Sequence, residues 1–129
     1  MKKREPDKVL ILNEQTKELD SWSKWRPFPD PRKGEYLVAP FGQGVYELRN
    51  KRTDELVLFG QSKNVANRMT SLIPRPLGSG TRKNEGKRKY ILEHLTDIEY
   101  RTLPCATVHE AKERERKLKV RNDEYLFPT

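Results

Sequence analysis

A chain of 129 residues, 33% hydrophobic and 36% charged, can close one modest core and leaves part of its length outside it. No apolar run reaches the length a bilayer demands, and Cys105 is the only cysteine, which excludes an intrachain disulfide and a CxxC metal site. The net charge of +8, with a pI near 9.7, favours a polyanionic partner, most simply nucleic acid.

The opening MKKREPDK lacks the apolar segment of a signal peptide, so a cytoplasmic location is expected. Residues 1–40 read as an N-terminal arm and 41–129 as the folded domain. Within the arm, VLIL (9–12) has the composition of a short strand, and SWSKWRPFPDPRKG is aromatic, basic and broken by prolines. Trp22, Trp25 and Phe28 either pack as a lid over the domain or stack on bases. GEYLVAP is a further extended segment.

From residue 44 the pattern becomes regular. GVYELRNKRTDELVLFG reads as a hairpin, with strands Val45 to Arg49 and Leu56 to Phe59 and turn residues Asn50, Thr53 and Asp54 between them. Glycines 44 and 60 bracket it, which a hairpin built only for stability does not need. Ser62 is the expected N-cap of a helix running to about Leu72, with Val65, Met69, Leu72 and Ile73 on its apolar face. PRPLGSG ends that helix. A second follows over about Lys83 to Leu95, then a third strand over DIEYRTL (97–103). Thr107-Val-His-Glu110 is a capping box opening a last helix to about Asn122. The predicted fold is α+β: a small three-stranded antiparallel sheet flanked by three helices, in the order β-β-α-α-β-α.

Charged residues stand out against this framework. Glu115 falls on the arc defined by Val108, Ala111, Leu118 and Leu126, where a carboxylate needs a cation, a metal or a route to solvent. Arg68 lies at the boundary of the first helix's apolar face. Residues 82–89, RKNEGKRK, hold five basic side chains and one acid beside a flexible loop, either as a solvated helix start or as a phosphate-facing patch. His94 and His109 are expected on the surface.

Together these pieces resemble the GIY-YIG nuclease superfamily. GVY (44–46) matches its first tripeptide, and LFG (58–60) stands in the place of its second. QSKNVANRM places Arg68 ten residues beyond the start of that second tripeptide. EAKERERKL matches the last-helix segment in which an alanine precedes the metal-binding glutamate by four, here Ala111 and Glu115. The resemblance implies one-step, metal-dependent hydrolysis of phosphodiester bonds in DNA, with RNA as the alternative substrate, by a monomer or homodimer. It implies Tyr46, Arg68 and Glu115 as catalytic residues and Glu115 as the ligand of Mg²⁺ or Mn²⁺. Lys63, Arg82, Lys83, Lys87, Arg88 and Lys89 are the expected nucleic-acid contacts. The chain departs from the family in three places. Leu58 replaces the second motif's tyrosine, Leu72 stands where many members carry histidine or tyrosine, and the usual asparagine after the glutamate gives way to YLFPT. The alternative implied is a weakened member that binds nucleic acid or a protein partner without cutting. If Tyr46 serves as the base, nearby cations must lower its pKa from about 10.

Overall fold

A computed structural model describes residues 10–13, 21–73 and 85–128. Its strands are β1 (Leu10–Asn13), β2 (Arg26–Pro27), β3 (Tyr36–Ala39), β4 (Gly44–Asn50), β5 (Glu55–Ser62) and β6 (Ile98–Pro104); its helices are α1 (Val65–Thr70), α2 (Glu85–Glu93) and α3 (Val108–Lys119). The mixed α and β character agrees with expectation, but the sheet is wider than the three strands predicted. β4, β5 and β6 form the centre of a four-stranded antiparallel sheet of order β2-β6-β4-β5, and β1 and β3 form a separate two-stranded parallel sheet. Only two residues of β2 pair, Arg26 with Tyr100 and Pro27 with Glu99. A proline without an N–H can sit on a sheet edge, and so short a pairing leaves no periodicity to read.

The central hairpin forms because its turn chemistry is favourable. Asn50 Oδ1 accepts from the backbone N–H groups of Arg52 and Thr53, at 3.0 and 3.2 Å, and Asp54 adopts φ 61°, a left-handed conformation that aspartate tolerates better than most residues. Asn50 Nδ2 also donates to the Tyr90 hydroxyl at 3.0 Å, fixing the turn to α2.

Alternation along β4 sorts side chains between two layers. Tyr46 and Leu48 join Leu58, Val65, Ala66, Met69, Ile91 and Tyr100 in the main core, with α1, α2 and the β1–β3 pair. Val45 joins Leu103, Cys105 and Ala111 in a smaller cluster beneath α3, with Trp22 and Leu118 packed against it. Cys105 is buried, a small hydrophobe in that cluster.

Helix boundaries shift for local reasons. Ser62 is not the N-cap of α1. Its hydroxyl accepts from the Asn64 N–H and donates to the Asn64 carbonyl, and Asn64 takes the cap by accepting from Asn67 N–H at 3.0 Å. Thr107 caps α3 as expected, accepting from Glu110 N–H at 3.1 Å, but the Glu110 carboxylate reaches Ala106 N–H, one residue before the cap. α3 ends at Lys119, short of the expected Asn122, and the chain turns back through a 3-10 turn (Asn122–Glu124). Leu126 is therefore not on the helical arc. It is exposed, and its N–H bonds the Leu56 carbonyl on the edge of β5.

Candidate active site

Both bracketing glycines are required by close approach. A Cβ on Gly44 would lie 2.5 Å from the Leu103 carbonyl oxygen, and one on Gly60 would lie 2.3 Å from the Tyr46 hydroxyl and 2.4 Å from the ring carbon that bears it. Tyr46 and Gly60 are partners across the β4–β5 ladder, so the missing side chain of one is the space for the ring of the other. That packing holds the phenol at one position on the sheet.

Two residues far from Tyr46 in sequence bear on it there. Burial pushes the Tyr46 phenol above its ordinary pKa, the Arg68 guanidinium pulls it partly back, and the Glu115 carboxylate adds to the rise. The cationic neighbour is present, as a basic tyrosine requires, but burial outweighs it and the net shift is upward. Tyr46 therefore stays protonated at neutral pH. Arg68 is exposed in the last turn of α1. Glu115 lies at the rim of the buried stripe of α3, a quarter exposed, with Lys119 Nζ 3.9 Å from its carboxylate.

Lys87, half-buried on α2, belongs to the same cluster: burial lowers its pKa, and the charges of Arg68 and Arg88 lower it further. Arg88, expected as a phosphate contact, donates from Nε to the Ser71 carbonyl at 2.6 Å, tying α2 to the end of α1. Lys89 is exposed and 3.9 Å from Glu93, and Lys63 is exposed just ahead of α1. Arg82 and Lys83 lie outside the described residues, as does PRPLGSG. Leu58 and Leu72 are both buried in the main core, where neither offers a polar group. His109 is exposed as expected; His94 is half-buried, its ring 4.4 Å from that of Tyr90.

Among the described residues there is no group of three or more His, Cys, Asp or Glu that would hold a metal outright. A single rim carboxylate nonetheless fits a Mg²⁺-like ion, which keeps several waters and completes its shell with one or two carboxylates and substrate phosphate oxygens.

Sequence reasoning missed a second polar network, on the α3 side of the sheet. Glu47 is 1% exposed; Arg101, its partner across the β4–β6 ladder, donates from Nε at 2.7 Å, and the Tyr125 hydroxyl donates to its other oxygen. That burial and bond push the Tyr125 phenol well up. Arg101 stacks on Trp22 and Trp25, at 4.2 and 4.7 Å, and Arg49 stacks on Trp25 at 4.2 Å. A glutamate between Tyr46 and Leu48 in a strand buried on both faces was the available signal.

Comparison with family models, with curated proteins and with solved structures finds no match to this chain.

Proposed function

We propose that the chain is a divalent-metal-dependent endonuclease that hydrolyses phosphodiester bonds in DNA. The observation that supports this best is the convergence of Tyr46, Arg68 and Glu115, from β4, α1 and α3, into one electrostatic neighbourhood. Arg68, exposed and cationic, grips the non-bridging oxygens of the scissile phosphate. Tyr46, kept protonated by burial, aims the attacking water by hydrogen bonding and does not deprotonate it. Lys87 adds positive charge beside Arg68. Glu115 holds the divalent ion, which when bound supplies charge to stabilise the leaving oxygen and the phosphoryl group.

A second reading, nucleic-acid binding without cutting, is favoured by one observation. Leu58 fills the place of the second motif's tyrosine and is sealed in the core, so no hydroxyl there can assist. The two readings separate on metal dependence. Supercoiled plasmid and branched DNA are incubated with wild type and Glu115→Ala in Mg²⁺, Mn²⁺ or EDTA. We expect cutting in either metal, none in EDTA, and a loss of about a hundredfold or more in the variant, with DNA binding retained. A variant that cuts as fast as wild type removes Glu115 from the chemistry. Salt-sensitive binding with no cutting in any metal establishes the second reading.

A further inference from the structure

The charges of α3 are sorted by direction. On one side, His109, Glu110, Glu113, Arg114 and Lys117 line an open surface hollow of about 350 Å³, which holds two of the helix's three acids. On the other side, Lys112, Arg116 and Lys119 follow one another at steps of four and three, with Glu115 three residues after Lys112 and four before Lys119, the spacing of neighbours on one helical face. All three cations are exposed. Glu115, the one acid on this side, is the carboxylate that bears on Tyr46. Arg116 pairs with Glu113 at the margin between the two sides, and Lys119 pairs loosely with Glu115 at 3.9 Å. Exposed pairs of this kind contribute little to stability and are readily exchanged for a phosphate.

We infer that Lys112, Arg116 and Lys119 form a rail that grips the nucleic-acid backbone on the α3 side of the site. The other grip, Lys63, Arg68 and Lys87, comes from the α1–α2 layer. This rests on the proposed nuclease reading and deepens it: a backbone held from both layers is engaged on each side of the cut phosphate, as internal cleavage requires. The dimensions agree. Lys112 and Lys119 are about 10 Å apart along the helix axis, and a DNA strand advances about 3.4 Å per phosphate along its own axis. The rail therefore meets about three phosphates. Contacts to phosphates carry no sequence information, so the rail's contribution is independent of sequence.

The test is the salt dependence of binding. The full chain is titrated with fluorescent duplex DNA over a range of salt, in EDTA so that no cleavage intervenes. The proteins are wild type, the triple variant Lys112→Ala/Arg116→Ala/Lys119→Ala, and two single variants, Lys119→Ala and Lys117→Ala. Each backbone contact contributes a slope of about −0.9 to the plot of log affinity against log salt. The triple variant should lose about two to three units of slope, equally on unrelated sequences. Lys119→Ala should lose about one unit, and Lys117→Ala, which removes the same charge from the back of the helix, should leave the slope unchanged. A triple variant with the wild-type slope overturns the rail and leaves the nuclease reading standing. Equal losses from Lys117→Ala and Lys119→Ala also overturn it, since attraction by overall charge then accounts for binding. A wild-type chain without salt-dependent DNA binding overturns the nuclease reading itself. Far-UV circular dichroism of each variant confirms that the substituted helix is intact.

Discussion

The contact between Tyr46 and Gly60 is where sequence and geometry meet most directly. A methyl group at position 60 would need the space now filled by the phenol, in a strand pair with no slack on either face. Gly60→Ala should cost about 1–3 kcal/mol, read as a lower urea midpoint, and should reduce cleavage by displacing Tyr46. An unchanged midpoint would mean that the ring moves aside at no cost. The same burial sets a pH dependence. Because the folded chain raises the Tyr46 phenol above its ordinary value of 10.0, it keeps a proton that the unfolded chain releases just above that pH. Stability on this account is constant below about pH 10 and falls as the pH rises further. Tyr125, raised likewise, adds to the fall, whereas Lys87, lowered from 10.5, works in the other direction: stability gains as the pH rises towards 10.5, where the folded chain has shed a proton that the unfolded chain still holds. Tyr46→Phe should therefore flatten the alkaline decline in urea midpoint above about pH 10; an identical decline would show that this phenol does not titrate differently in the two states. The sequence singles out Tyr46, Arg68 and Glu115 by fixed steps from a glycine or alanine in short motifs, and the fold brings the charges of Arg68 and Glu115 to bear on Tyr46. The net direction of the Tyr46 shift was not legible. It depends on how much surface α1 and the β1–β3 pair cover, which no local spacing encodes.

At the level of elements, β4 and β6 are locked by a pair that neither strand predicts alone. Glu47 is almost fully buried, and Arg101 meets it from the next strand with the Trp22 and Trp25 rings against its guanidinium. Removing one partner of such a pair leaves a stranded charge. Arg101→Met should cost about 3–5 kcal/mol, and the double variant Glu47→Gln/Arg101→Met should recover part of that loss. A thermal melt of the three proteins decides it: a double variant no more stable than Arg101→Met would mean that packing of the tryptophans, not charge, is what Arg101 supplies. The central strands were legible from alternation and turn residues, and α3 from its capping threonine. The end of α3 was not. Leu126 falls in helical phase with Val108 and Ala111, yet the chain leaves the helix because Tyr125 bonds the buried Glu47 and packs on Phe59 with ring centres 4.7 Å apart. β2 was hidden for a related reason, since its pairing partner lies in β6, far along the chain.

For the molecule as a whole, both tryptophans report on one event. Trp22 and Trp25 are the chain's only two, and each lies against an arginine of the central sheet. Unfolding followed by tryptophan fluorescence should coincide with unfolding followed by far-UV circular dichroism, as in a single cooperative unit. A fluorescence midpoint at lower urea would show that the segment around 21–28 leaves the sheet before the sheet opens. That segment also runs along the outer side of β6: Ser23 N–H donates to the Thr102 carbonyl, Phe28 N–H to that of Ile98, and β2 pairs between them. At the opposite margin, Leu126 and Phe127 donate to the carbonyls of Leu56 and Val57 on β5. The outer side of β6 is thus occupied by the 21–28 segment, and the Leu56–Val57 stretch of β5 by Leu126 and Phe127, so neither stretch is free to template a foreign strand. Copies brought to high local concentration would find those stretches already bonded, and would not merge their central sheets through them.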